Sequence, residues 1–168
     1  YDGLVRYKDG TLEVEPALAK SWDISADGTV YTFTLRSGVT FHDGTAVDAD
    51  AVKFNFDRML DENHPYHDTG PFPLSFFFSA IEGVKVVDSS TVEFTLNAPY
   101  APFLSNLAYP TGLIASPAGI KKNGKEFGRN PVGSGAFKFD TWRANEAVVV
   151  SRNDSYWDGK AGSEAIVF

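Results

Sequence analysis

Three histidines, twenty-two acidic side chains and no cysteine set the chemistry open to this chain of 168 residues. His64 and His67 form H-x-x-H within H-P-Y-H, but Pro65 opposes a regular helix there, and no cysteine or glutamate follows at the spacing of a zinc protease. The pair reads as a polar loop. His42 stands in H-D-G, where Asp43-Gly44 suits a turn, and is expected to hydrogen-bond locally. G-x-S-x-G is absent, and the serines fall in turn, cap or strand contexts, so no nucleophile is raised beside a base. Glu13 with Glu15 and Asp48 with Asp50 are carboxylate pairs of the kind that acid–base catalysis uses across a cleft. The second pair sits at a helix start, where the macrodipole favours negative charge. Gly133-Ser134-Gly135 lacks the third glycine of a dinucleotide loop and the G-K-[ST] of a P-loop, and a strand pattern follows it where a phosphate loop needs a helix. Without cysteine there is no thiolate nucleophile and no Cys-based zinc site. The sequence therefore predicts no catalytic residue, no metal ligand and no cofactor.

Binding chemistry is better represented. Pro71 to Phe78, P-F-P-L-S-F-F-F, holds four phenylalanines and two prolines in eight residues. A loop so apolar is not left wet without reason. Either Phe76 and Phe78 plug the core, or part of the cluster forms a wall for a ligand.

The elements that must carry this loop are legible from periodicity. Tyr31, Phe33 and Leu35 alternate with Thr32, Thr34 and Arg36, the period of a half-buried strand, and Ala26-Asp27-Gly28 makes a turn back to a partner at Trp22 to Ser25. Val84 to Val87 and Val92 to Leu96 flank Asp88-Ser89-Ser90, and Phe137 to Trp142 and Ala147 to Ser151 flank Arg143-Ala144-Asn145, giving two more hairpins. Between the first and second, Asp48 is placed to cap a helix running to about Leu60, with Val52, Phe56, Met59 and Leu60 on one face and Asp50, Lys53 and Asp57 on the wet side. Short helices are expected after Pro102, burying Phe103, Leu104 and Leu107, and from Ser116-Pro117 to Asn123-Gly124. Hairpins with interspersed helices indicate an α+β domain with a mixed sheet arrangement, not a parallel βαβ wind. Trp22, Phe33, Leu35 and Phe56 are expected in one core.

Composition removes several function classes. At 43% hydrophobic and 14% aromatic the chain can fill the core of one domain. Its apolar runs fall far short of the roughly 20 residues of a membrane span. A net charge of −7 repels phosphate backbones and anionic lipid, so nucleic acid is excluded as a partner. Tyr1 to Tyr7 shows no signal-peptide pattern, and E-A-I-V-F at the other end begins an apolar strand, as if the chain were cut there.

Five blocks in order identify the relationship: L-A-K-S-W at Leu18 to Trp22, Y-T-F-T-L-R-S-G-V-T-F-H-D-G at Tyr31 to Gly44, F-N-F-D-R at Phe54 to Arg58, N-P-V-G-S-G-A-F at Asn130 to Phe137, and S-Y-W at Ser155 to Trp157. Together they resemble the large periplasmic solute-binding proteins of peptide and nickel ABC importers, along the whole of Tyr1 to Phe168. Ser134 and Ala136 depart conservatively from the common G-T-G-P-F of that block. The resemblance implies that residues 1–168 form a single segment of lobe I of a two-lobed periplasmic-binding-protein fold. The remainder of lobe I and the second lobe would lie outside this chain. It also implies a periplasmic or surface-anchored protein that captures a peptide-class solute and hands it to permease subunits. A glutathione-like solute or a nickel chelate is the alternative within the fold; a hydrolase or a self-standing interaction domain is the alternative outside it. In such proteins the Pro71 to Phe78 region and the Tyr109-Pro110-Thr111-Gly112 turn approach the interlobe cleft. Phe72, Phe76, Phe77, Tyr109 and Thr111 are accordingly the ligand-binding candidates. Nickel-type relatives carry an arginine where Thr111 stands, which counts against an anionic metal chelate. The groups that hold peptide termini in relatives lie beyond Phe168, so this segment is expected to supply a wall.

Overall fold

The computed structural model describes residues 1–168. In chain order its elements are β1 (Asp2–Gly3), β2 (Val5–Tyr7), β3 (Val14–Pro16), β4 (Ala19–Ile24), β5 (Val30–Leu35), α1 (Ala49–Leu60), β6 (Ile81–Asp88), β7 (Thr91–Leu96), α2 (Phe103–Leu107), β8 (Leu113–Ile114), α3 (Pro117–Asn123), β9 (Phe137–Arg143), β10 (Ala147–Arg152) and β11 (Ala165–Val167). Short 3-10 turns occupy His67–Thr69, Ser75–Phe78, Pro110–Gly112 and Gly124–Arg129. Every strand pairing is antiparallel, and the fold is α+β.

The three expected hairpins are present. β4 and β5 pair across the turn at Gly28, whose φ of +73° suits glycine. β6 and β7 pair around Asp88, which accepts from the Ser90 backbone N–H. β9 and β10 pair across a turn in which Asn145 takes φ +61°. The first two hairpins merge into a sheet of order β4-β5-β7-β6, and β11 extends the third into β11-β10-β9.

The face of the larger sheet follows from its alternation. Tyr31, Phe33 and Leu35 on β5 and Val92, Phe94 and Leu96 on β7 are all buried. Helix α1 lies on that face: Asp48 accepts from Ala51 N–H at 2.8 Å to start it. Phe56 meets Phe94 edge-on at 4.9 Å and Phe78 at 5.2 Å. Rings of this size each stabilise the fold by about 1.5–3 kcal/mol through burial alone. Phe33, Leu35 and Phe56 share one core. Trp22 does not join them as a buried residue: it stays half-exposed, packed against the outside of the cluster with its ring 6.3 Å from that of Phe33. β4 is an edge strand, hydrogen-bonded only to β5 within its sheet.

A second knot ties the ends of the chain together and accounts for several of the sequence blocks. The Asp2 carboxylate accepts from Ser134 Oγ (2.9 Å), Tyr156 O–H (3.0 Å) and Trp157 Nε1–H (3.1 Å). A Cβ at position 135 would sit 2.7 Å from the backbone nitrogen of Tyr1, so Gly135 admits that close approach. His42 belongs to the same knot. Its ring Nε2 lies 2.9 Å from the Gly135 carbonyl, and its backbone N–H donates to Gly133. The expected local bond is therefore replaced by a contact 93 residues away in sequence. The backbone bond from His42 to Gly133 holds the loop against that segment and brings the ring to the Gly135 carbonyl. Asp43 meanwhile accepts from Thr45 and from Ser116 Oγ, and the same Ser116 oxygen accepts from Gly119 N–H to cap α3.

Candidate functional site

A cavity of about 290 Å³ opens where the C-terminal half of α1, the Gly70–Pro73 loop and the Pro110–Gly112 turn converge. Each wall has a local cause. Asn55 donates to the Ala51 and Ala115 carbonyls (both 2.8 Å) and accepts from Ala115 N–H (3.2 Å), fixing α1 to the segment after β8. Gly112 passes so close to α2 that a Cβ there would stand 2.6 Å from the Leu107 carbonyl oxygen, and this places Thr111 at the rim. Phe72 holds a left-handed backbone with φ +39°, a conformation costing a non-glycine residue on the order of 1–3 kcal/mol. Such strain persists only where packing holds it, and here the ring lies 4.8 Å from the Arg58 guanidinium and 5.5 Å from His67.

The five candidates fall into two adjoining groups. Phe72 and Thr111 line the cavity. Phe76, Phe77 and Tyr109 form an aromatic row instead, with ring centroids 4.6 Å apart for the first pair and 5.5 Å for the second, both edge-on. Phe76 is 60% exposed and Tyr109 43%. The core-plug reading thus holds for Phe78, fully buried against Phe56, and fails for Phe76, because the 3-10 turn Ser75–Phe78 sends consecutive side chains to different sides. Asn106 donates to the Phe77 carbonyl at 2.9 Å and holds the row in place. On the other side of the loop, Phe72 and Phe76 border a shallow hollow with Met59, Leu60 and His67.

The histidine pair that suggested H-x-x-H chemistry is divided between partners. His64 packs edge-on to Phe54 at 5.1 Å and accepts from Tyr66 N–H, while His67 Nδ1 lies 2.9 Å from the Arg58 carbonyl. Asp48 is spent on the α1 cap, and Glu15 pairs with Arg6 at 2.7 Å.

Two site residues were missed by sequence reasoning. Arg58 is only 8% exposed and lines the cavity, with burial drawing its guanidinium below the ordinary arginine value. Tyr1 lines it too; burial pushes its phenol up to about 12, against a smaller opposing effect of Arg58. A signal for Arg58 was present: Ala51, Asn55 and Arg58 recur at i, i+4 and i+7 along the flank of the apolar stripe. All three are buried, and two of them are polar.

Comparison with known proteins places this geometry in context. Residues 13–168 match the family model described as bacterial extracellular solute-binding proteins, family 5 Middle. Di/tripeptide-binding protein 2 of Pseudomonas aeruginosa is 40% identical over 99% of this chain, which covers 34% of that protein. Among solved structures, HbpA2 from Haemophilus parasuis superposes with a TM-score of 0.93 at 38% identity, over 100% of this chain and 36% of that one. The periplasmic binding protein DppA from Helicobacter pylori, in complex with the peptide STSA, superposes at 0.88 with 40% identity, over 99% of this chain and 36% of that one. The chain spans about a third of the length of the relatives it matches.

Proposed function

The chain belongs to the family 5 bacterial extracellular solute-binding proteins, and from that premise we propose that residues 1–168 form part of the first lobe of a protein that captures a short peptide and delivers it to the permease of an ABC importer. The observation that carries the choice of ligand class is the aromatic row in which Phe76 and Tyr109 are exposed on either side of the part-buried Phe77, beside a cavity and held by Asn106. Rigid, exposed aromatic surface beside an enclosed hollow is what a varied set of apolar side chains needs, because contact area and not directional bonding supplies the affinity. The relatives named for dipeptides, tripeptides and the peptide STSA agree with that class.

In this reading no bond is made or broken. Two lobes close over the solute, and the closed form is what the permease engages. Family members are solute-binding proteins and not enzymes, and we extend that to this chain, whose three histidines, Ser116 and Ser134 have structural partners. No helix is long and apolar enough to cross a membrane; the family's extracellular description supports our reading of a periplasmic or surface-anchored location.

The test is calorimetry of the full-length protein with dipeptides and tripeptides, glutathione and a nickel–histidine chelate. Saturable binding of the short peptides, recovered uncleaved, is expected. Binding of the chelate or of glutathione alone, or hydrolysis abolished by replacing one serine or histidine, would refute the reading.

A further inference from the structure

Arg58 is the one charged residue among the sixteen that line the cavity, and no Asp or Glu stands among them. Its hydrogen bonding is strikingly incomplete for a buried guanidinium. A guanidinium offers five N–H donors, and only Nη1 has a protein partner, Thr69 Oγ1 at 2.8 Å. Nε is buried without any acceptor. The Phe72 ring covers one face of the group, and Arg58 lines the cavity. Within residues 1–168 no salt bridge reaches it. A buried cation with neither counter-ion nor filled donors is costly unless something else supplies both.

We propose that Arg58 is the receptor for a carboxylate of the captured solute, which enters the cavity between Phe72 and Thr111 and is held by the free donors of Nη1 and Nη2. The proposal rests on the solute-binding reading and adds a chemical requirement to it. One guanidinium balances one negative charge, and its planar fork matches the two oxygens of a carboxylate. The remaining cavity wall is largely apolar: Phe56, Met59, Leu113 and Ile114 leave a carboxylate no competing cation. Burial, which draws the Arg58 pKa down, is relieved when that charge is paired. The chain as a whole carries −7, so Arg58 creates a local exception to a field that otherwise repels anions.

The experiment uses the full-length protein and four dipeptide probes: Ala-Glu against Ala-Gln, and Ala-Leu against its C-terminal amide. Within at least one pair the wild type is expected to prefer the carboxylate by about tenfold or more, and Arg58→Gln to reduce that preference, taken as the ratio of the two affinities, to about threefold or less. Arg58→Lys, which keeps the charge and loses the fork, serves if the glutamine variant does not fold, and is expected to lose most of the preference. Acetate and acetamide probe the site without assuming a peptide: acetate should raise the melting temperature of the unliganded wild type by a few degrees at saturating concentration, and acetamide should not. The Arg58 variants should show no acetate response. Dipeptide binding whose carboxylate preferences survive both substitutions would overturn the proposal and leave the peptide reading standing. No dipeptide binding with an Arg58-dependent acetate effect would do the reverse. An acetate response equal in wild type and variants, or absent from both, would mean that the protein itself satisfies the guanidinium, and would overturn the proposal.

Discussion

Phe56 and Phe76 lie twenty residues apart and illustrate two uses of the same side chain. Phe56 is enclosed by Phe78 and Phe94, so Phe56→Ala removes ring contacts on several sides and leaves a cavity the sheet cannot close. A loss of roughly 3–5 kcal/mol on urea denaturation is expected. A loss below about 1 kcal/mol would place the helix in the wrong register. Phe76 is already mostly in water, so Phe76→Ala should leave the melting temperature of the unliganded protein within about 2 °C of wild type. If the aromatic row is a ligand wall, the same change weakens binding of an apolar dipeptide such as Ala-Leu by roughly 1–2 kcal/mol in calorimetry. Reduced stability with unchanged affinity would assign the row to packing.

At the scale of elements, helix α1 and the His42 knot respond to different conditions. Asp48→Ala removes the acceptor for Ala51 N–H and should cost about 1 kcal/mol, read from the urea midpoint. His42 is a pH-dependent contribution. Burial holds its pKa below the ordinary 6.5, more than the bond to Gly135 raises it. A histidine with a lowered folded pKa binds protons more readily in the unfolded chain. Its contribution is therefore complete above about 6.5 and is lost as the pH falls through the window down to the folded value. His64 is lowered in the same direction, again chiefly by burial. His42→Gln should flatten the loss of stability across that window when urea midpoints are compared above and below 6.5; an unchanged slope would remove His42 from the acid response. These two elements also show what periodicity can and cannot reveal. The α1 stripe and the alternation of β5 and β7 are local patterns, so their positions were legible in the residues alone. The His42–Gly135 and Asp2–Trp157 contacts join residues 93 and 155 positions apart and leave no periodic trace. The two-residue strands β1 and β8 are likewise set by their partners, being too short to show alternation. Exposure within P-F-P-L-S-F-F-F depends on a 3-10 turn that composition does not encode, and Arg58 lies on the flank of the α1 stripe, where an arginine by type belongs in solvent.

For the whole molecule, residues 1–168 supply a sheet-backed wall and a buried arginine without a counter-ion among them, and the proposed role requires a second lobe to close over them. Enclosure is what turns a shallow aromatic row and a cavity of about 290 Å³ into a site, since an open face cannot desolvate a peptide on all sides. The central claim is that the solute is a short peptide. Native mass spectrometry of the full-length protein, purified without refolding from its own host, tests it most directly because a co-purified solute is weighed and sequenced on release. The account predicts a mixture of adducts whose masses resolve into short peptides of varied sequence. A single adduct carrying nickel, or one resolving to a non-peptide solute, would contradict it.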